Sequence, residues 1–166
     1  VSQSGLTNGS KLLASMLMII GGSPAGTAGG IKTTTVAVLL LTAISVLRGN
    51  KDTECYGRKI TFEIIRVGIT ITLVTFVFWL FGVTVMTVIE PQQKVLDLMF
   101  EATSAMATVG LTADLTPVLS DISHVVLMLM MYIGRIGPMT MALIFSGHVD
   151  KKNQFRTLPE AKIMVG

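Results

Sequence analysis

The sequence predicts an all-α membrane protein, built from repeats of a spanning helix, a short re-entrant helix and a second spanning helix. Its residues are 51% hydrophobic and only 14% charged, and the mean hydropathy is +0.69. A soluble domain carries about 25% charged residues. Met and Phe dominate the apolar content, with 11 and 7 residues, which suits helices packed in hydrocarbon. One cysteine, Cys55, excludes an internal disulfide, and a dispersed net charge of +3 does not favour nucleic acid as a partner.

The first long apolar stretch belongs to residues 1–47 and is interrupted at its centre by the sequence GGSPAGTAGGIKTTT, residues 21–35. Five glycines and one proline there disfavour a regular helix. We therefore expect two half-helices joined by unwound backbone. Because bare peptide groups at membrane depth are tolerated only where they line a cavity, this segment should border a polar path.

Two later stretches are long enough to cross a membrane. Residues 67–89 contain no formal charge, and as a helix their 23 residues would extend about 34 Å, more than the roughly 30 Å of a hydrocarbon core. Residues 124–147 form a second predicted spanning helix, interrupted by Arg135 and by two glycines and a proline next to it. Residues 95–109 lie between them and would reach only about 22 Å. This short segment predicts a re-entrant helix.

Charges predict the orientation. Residues 48–66 carry five basic and three acidic residues, and the tail at residues 148–166 is also basic, so both should be cytoplasmic. The charged residues within residues 90–121 are mainly acidic, so this stretch should lie outside the cell.

An internal repeat supports this arrangement. The sequence Ser4-Gly5-Leu6-Thr7 matches Val109-Gly110-Leu111-Thr112, and a Met-rich helix follows each copy, with about eight extra residues in the second. We interpret residues 1–47 as the end of one unit and residues 67–147 as a complete unit. Because the sequence opens inside this motif, we expect it to be a fragment of a longer chain.

Irregular backbone after a re-entrant helix predicts a cation selectivity filter, since rings of carbonyls can replace the hydration shell of a monovalent cation. In this interpretation residues 95–112 are a pore helix and its filter, and Gly110 supplies permissive dihedrals. The alternative is an ordinary helix end with a Gly C-cap before a surface loop. The predicted filter residues are Ser4, Gly5, Leu6, Thr108, Val109, Gly110 and Leu111.

Three motifs together resemble the Trk/Ktr/HKT potassium transporter superfamily, and within it the KtrB-type, NtpJ-like membrane subunit. They are GGSPAGTAGGIKTTT, the pair of Gly-Leu-Thr elements, and YIGRIGP at residues 132–138. The resemblance covers nearly the whole chain and implies four units around one pore, of which this chain holds the second half of unit three and all of unit four. Gly5 and Gly110 would then be the third and fourth filter glycines, which bind potassium through backbone carbonyls.

The same resemblance implies that residues 21–35 are an intramembrane gating loop. It implies potassium as the substrate and no cofactor in this chain, and it leaves sodium open as a coupling ion. It also implies a homodimer of the full-length protein in membrane lipid and a cytoplasmic nucleotide-binding subunit of the KtrA/TrkA type, for which the basic connection and tail are plausible docking surfaces.

Arg135 is the most informative single residue, because an arginine at the centre of a spanning helix costs about 2.5–3.5 kcal/mol. We expect it to donate to carbonyls of residues 26–30 and to act as a brake below the filter. The alternative is a structural pair with Glu101. Lys32 either stabilises backbone carbonyls of the loop, repels cations when the gate is shut, or extends to the membrane interface. The predicted gating residues are Gly26, Gly29, Gly30, Lys32 and Arg135.

Two further sequence patterns are less specific. Asp97 and Glu101, four apart on the short helix, either raise the cation concentration at an outer mouth or form a solvated face. Residues 29–33 faintly echo a phosphate-binding loop, but Ile31 separates the glycine from Lys32 and no strand precedes the loop, so we reject nucleotide binding.

The predicted function is potassium transport by a channel-like, multi-pass subunit of the cell membrane, and not an enzyme, because none of the usual nucleophile or metal spacings is present. The alternative is a membrane subunit of a sodium-translocating ATPase or another ion-motive complex, in which Arg135 would face carboxylates.

Overall fold

The computed structural model describes residues 5–23, 29–50, 52–55 and 57–137. The chain forms α1 (Asn8–Ile19), α2 (Thr33–Leu47), β1 (Glu54–Cys55), β2 (Arg58–Lys59), α3 (Phe62–Ile89), α4 (Val95–Met106), a 3-10 turn (Thr116–Val118) and α5 (Asp121–Ile136). The prediction of a mainly helical protein is confirmed. The two strands form one short antiparallel hairpin that pairs Glu54 with Lys59.

The first apolar stretch is divided into α1 and α2, as its glycines indicate. Between them, two backbone hydrogen bonds join residues on either side of the Gly-rich segment. The Gly21 N–H donates to the Ile31 carbonyl at 2.7 Å, and the Ile31 N–H donates to the Ile19 carbonyl at 3.1 Å. Helix α2 begins at Thr33, so the three threonines that we assigned to the end of the loop are helical. The non-helical segment therefore ends at Lys32, which occupies the N-cap position.

Helix α3 begins at Phe62 rather than Val67, so the start of a membrane helix lies within the segment that we assigned to the cytoplasmic connection. Among the described residues, α3 is the one helix long and apolar enough to cross a membrane, and only 22% of its apolar window is buried. Exposed Phe76 and Phe81 are consistent with lipid contact.

Helix α4 lies at the centre of the described structure and contacts α1, α3 and α5. Every residue from Phe100 to Ala107 is buried. The Trp79 ring nitrogen on α3 donates to the Thr103 hydroxyl at 2.9 Å and fixes the rotation of α4. Small residues allow close approach: a Cβ on Gly134 of α5 would overlap the Met106 carbonyl oxygen.

Two helices begin after side-chain caps of the expected type. The Thr7 hydroxyl accepts from Ser10 N–H at the start of α1, and the Ser120 hydroxyl accepts from Ser123 N–H at the start of α5. Thr7 follows Gly5 by two residues, and Ser120 follows Gly110 by ten. The spacing between the glycine and the cap is therefore eight residues longer in the second copy. The extra residues of the second copy thus lie between its glycine and its helix. Helix α5 begins at Asp121 rather than residue 124, and residues 138–147 of the predicted span lie outside the described residues.

Candidate ion path

Helix α4 ends in a Schellman motif. The Val109 N–H donates to the Ser104 carbonyl at 3.0 Å, and the Thr108 N–H donates to the Ala105 carbonyl at 3.1 Å. This geometry places Thr108 in the left-handed region, with φ of 53°. The helix therefore has the capped end that our alternative anticipated, but the left-handed residue is a threonine. A β-branched residue there costs on the order of 1–3 kcal/mol.

The chain after the cap stays outside helix and passes through Gly110, whose φ is +81°. Two side chains of α4 hold this segment: the Ser104 hydroxyl accepts from Leu111 N–H at 2.9 Å, and Glu101 accepts from Ala113 N–H at 3.0 Å. Val109 and Gly110, by contrast, are exposed. The backbone around Gly110 is thus tied to α4 on one side and open on the other.

Glu101 is a residue whose role the sequence did not reveal. Its side chain is 4% exposed. One carboxylate oxygen accepts from the Thr112 hydroxyl and from the Ala113 N–H, and the other accepts from the Thr116 hydroxyl at 2.9 Å. A solvated face was therefore the wrong interpretation for Glu101. Its partners follow the predicted filter segment by only a few residues, so Glu101 holds the backbone next to that segment.

Asp97 is not solvated either. The Lys11 ammonium of α1 lies 2.6 Å from the Asp97 carboxylate, and the two side chains are 10% and 20% exposed. The sequence does not indicate that Lys11 forms this ion pair, because a lysine near the start of an apolar helix usually extends to the interface.

The two predicted filter segments approach the same part of the core. Leu6 and Leu111, which are equivalent in the repeat, both pack against the cluster formed by Met18, Phe100 and Ala107. Gly5 and Gly110 remain exposed. Ser4 lies outside the described residues.

The Gly-rich loop contacts the first residue of the predicted filter segment, Thr108. Gly29 is buried, and its N–H donates to the Thr108 hydroxyl at 2.9 Å. A Cβ on Gly30 would lie 3.6 Å from the Ala107 side chain. Gly26 lies outside the described residues, so the structure does not describe its relation to Arg135.

Arg135 lies in the last turn of α5, next to Gly134, whose carbonyl oxygen would lie 3.0 Å from a Cβ on Gly29. Arg135 lines a cavity of about 730 Å³ together with Glu101, Thr108 and Gly110. Predicted filter residues and the predicted brake thus border one space. Lys32 is half-buried at the start of α2 and does not line this cavity.

In the part of the chain that the structure describes, these features define a helical protein with one long apolar helix, a broken helix and a short buried helix that ends at a cavity. The chain matches the TrkH family of cation transport proteins over residues 1–156, and it belongs to that family. The predicted resemblance is confirmed, and the family consists of membrane transporters rather than enzymes.

Curated relatives agree with this assignment. The chain is 35% identical over 161 residues to the Ktr system potassium uptake protein B of Bacillus subtilis, an alignment that covers 97% of this chain and 35% of that protein. It is 34% identical over 164 residues to the potassium/sodium uptake protein NtpJ of Enterococcus hirae, which covers 97% of this chain and 36% of that protein. The chain spans about a third of the length of these relatives.

Proposed function

We propose that this chain forms part of the pore of a potassium transporter, in which backbone carbonyls near Gly5 and Gly110 select the ion. The observation that carries the proposal is the non-helical segment after α4, which passes through the left-handed Gly110 and lines a cavity with Arg135. Carbonyl oxygens in such a segment can replace the hydration shell of potassium. The relatives named as potassium uptake proteins support the choice of ion.

We further propose that residues 21–32 act as the gate and Arg135 as a brake in a multi-pass membrane protein. The loop supports this role because its Gly29 contacts Thr108, which precedes Gly110 by two residues. A positive charge at Arg135 in the same cavity would oppose cation passage. Substitution of Arg135 by Ala in the full-length protein should raise potassium flux, whereas Arg66→Ala, at an exposed position near the start of α3 and outside the hairpin, should not.

Homodimerisation and a cytoplasmic nucleotide-binding subunit also belong to the proposal, with sodium as an optional coupling ion. The hairpin supports the suggested docking surface, because Arg58 and Lys59 on β2 are exposed and Arg48 ends the neighbouring helix α2. The Ser45 hydroxyl of α2 donates to the Asp52 carbonyl at 2.8 Å and connects the hairpin to the broken helix. A partner bound at the hairpin could therefore act on α2.

The decisive experiment is Gly110→Ser in the full-length protein that carries this chain. A side chain at φ of +81° strains the filter backbone, so we expect the ratio of potassium to sodium uptake in proteoliposomes to fall. Gly49→Ser is the matched control: Gly49 also has a left-handed φ, +72°, and open space around it, but it ends α2. Equal ion ratios in both variants would refute the filter.

A further inference from the structure

The ring of His124 lies between two backbone carbonyls. Its nitrogen Nδ1 is 3.0 Å from the Ser120 carbonyl oxygen, and Nε2 is 3.0 Å from the Thr116 carbonyl oxygen. A carbonyl oxygen can only accept a hydrogen bond, so each contact requires a proton on the ring nitrogen. A neutral imidazole has a proton on one nitrogen, whereas the charged ring has a proton on both. Both contacts of His124 are therefore satisfied together only in the doubly protonated form.

A neutral ring would fit this position poorly. In either tautomer, one nitrogen would direct a lone pair at a carbonyl oxygen 3.0 Å away. The Ser120 carbonyl also accepts from the His124 backbone N–H at 3.1 Å, as part of α5. The ring contact with Thr116 is thus the one that joins α5 to another element, the 3-10 turn at Thr116–Val118. Loss of a ring proton should weaken the hold of α5 on this turn.

Carboxylates belong to the elements around the ring. Glu90 ends α3 and accepts from the Ser120 N–H at 2.8 Å. Hydrogen bonds from Ser120 and Ser123 are the main cause of its lowered pKa, and the charge of His124 lowers this pKa further. The turn itself, residues 115–119, contains no charged residue. The other acidic residues on the adjoining elements are Glu101 of α4, Asp114 before the turn and Asp121 in the first turn of α5.

Thr116 continues the contact towards the predicted filter segment. Its hydroxyl donates to one carboxylate oxygen of Glu101 at 2.9 Å, and the other oxygen accepts from the Ala113 N–H at 3.0 Å. Thr116 and Glu101 line the cavity that contains Gly110, whereas His124 does not line it. A half-buried histidine is thus connected, through Thr116 and Glu101, to the backbone beside the proposed ion path.

We propose that doubly protonated His124 is a positioning residue for the proposed filter segment, so that pH sets ion selectivity. This proposal rests on the function proposed above. The charged ring holds the turn by the Thr116 carbonyl, and the turn holds Glu101 by the Thr116 hydroxyl. When the ring loses a proton, the turn loosens and the backbone after Gly110 loses a support. Histidine ordinarily changes charge between about pH 5 and 8, so the effect falls within that range.

The first test measures the His124 contacts without transport. Melting temperatures of the full-length protein in detergent are compared at about pH 6 and pH 8 with those of His124→Phe, which keeps a ring and loses both nitrogens. The charged ring makes one hydrogen bond more than the neutral ring, so the stability that it adds is present at the lower pH and lost as the pH rises. The advantage of the original protein over His124→Phe should therefore shrink at the higher pH.

Two further variants complete this test. His124→Gln is neutral at both pH values and should lose the same pH-dependent advantage, which provides a second comparison if His124→Phe folds poorly. Asp121→Asn is the matched control, because it changes a carboxylate in the first turn of α5 and leaves both ring contacts in place. It should follow the original protein. Melting temperatures of the original protein that run parallel to those of His124→Phe and His124→Gln would overturn the proposal.

The second test measures the potassium to sodium uptake ratio in proteoliposomes at the same two pH values. In the original protein the ratio should be about two- to twelvefold lower at the higher pH, the range for loss of one hydrogen bond. In His124→Gln it should not change with pH. Thr116→Val keeps the carbonyl that His124 contacts and removes the hydroxyl that reaches Glu101, so its ratio should be low at both pH values. A pH-dependent ratio that persists in Thr116→Val would overturn the route through Thr116.

The two tests separate this proposal from the function on which it rests. A protein whose stability depends on His124 as expected, but which takes up no potassium at either pH, would contradict the proposed function and its selectivity, while the ring contacts would stand. Potassium-selective uptake with the same ion ratio at both pH values would instead contradict the role of His124 and leave the proposed function intact.

Discussion

The Lys11 ammonium lies 2.6 Å from the Asp97 carboxylate, and this ion pair joins α1 to the first turn of α4. Helix α1 follows the segment at Gly5, and α4 precedes the segment at Gly110. The pair therefore connects the two predicted repeat units close to their proposed filter segments. Because both side chains are mostly buried, solvent screens the interaction only weakly.

Replacement of Asp97 by Asn should destabilise the protein strongly. The change leaves the buried Lys11 charge without its partner, which typically costs about 3–5 kcal/mol. We expect a lower melting temperature of the purified full-length protein in detergent. We also expect a reduced potassium to sodium uptake ratio, because the two proposed filter segments lose a fixed connection.

The hairpin provides a matched control for this prediction. Lys59 and Asp52 also lie 2.6 Å apart, but their side chains are 63% and 48% exposed. Lys59→Ala should therefore change stability by less than about 1 kcal/mol. If Asp97→Asn and Lys59→Ala lowered the melting temperature equally, the Lys11 pair would have no special role.

Glu101→Gln should loosen the segment that follows the filter. The amide nitrogen of Gln cannot accept hydrogen bonds, so either Thr116 or the Thr112 and Ala113 donors lose an acceptor. Each charge-assisted bond contributes about 1.5–3 kcal/mol. We expect a fall in potassium selectivity in proteoliposomes, with protein yield retained.

Glu63→Gln is the control for Glu101, since Glu63 is an exposed carboxylate in the first turn of α3. Its substitution should leave selectivity unchanged. An unaltered ion ratio in Glu101→Gln would show that the carboxylate does not position the filter segment.

Local chemistry explains why the broken helix and the short helix were predictable. Glycine and proline at residues 21–30 disfavour a helix, and Pro91 and Gly110 bracket the stretch in which α4 (Val95–Met106) forms. These signals lie within a few neighbouring residues. The start of α3 was less predictable, because Glu63 and Arg66 look like loop charges although they lie in a helix.

The roles of Lys11 and Glu101 were not predictable, because their partners are distant or occur in an irregular segment. Lys11 and Asp97 are 86 residues apart. Their pairing depends on how α1 packs against α4, which no local pattern encodes. Similarly, Gly110 was the expected cap of α4, and only the backbone bonds of Val109 identify Thr108 instead.

The ionisation of Glu90 should make the stability of the protein depend on pH. Hydrogen bonds from the Ser120 side chain, the Ser120 N–H and the Ser123 hydroxyl lower the pKa of Glu90 from its ordinary value of 4.5. A depressed pKa adds stability above pH 4.5, and this contribution is lost as the pH falls through the lower folded value. Melting temperatures of the full-length protein should therefore fall below pH 4.5 more steeply than in Glu90→Gln. Parallel curves for the two proteins would show that the Glu90 carboxylate does not contribute to stability in this way.

Gly134→Ala should separate α5 from α4 and disturb both the proposed filter segment and the proposed gate. The added Cβ would overlap the Met106 carbonyl oxygen, a backbone atom that cannot move without shifting the end of α4. Such overpacking costs about 1–3 kcal/mol, so we expect a lower melting temperature together with altered basal rubidium uptake. Gly9→Ala is the matched control, because Gly9 also lies in a helix but has open space where the Cβ would stand. Alanine is the better helix former, so this variant should keep or slightly raise the melting temperature. Equal behaviour of the two variants would mean that α4 and α5 are not in close contact at Gly134.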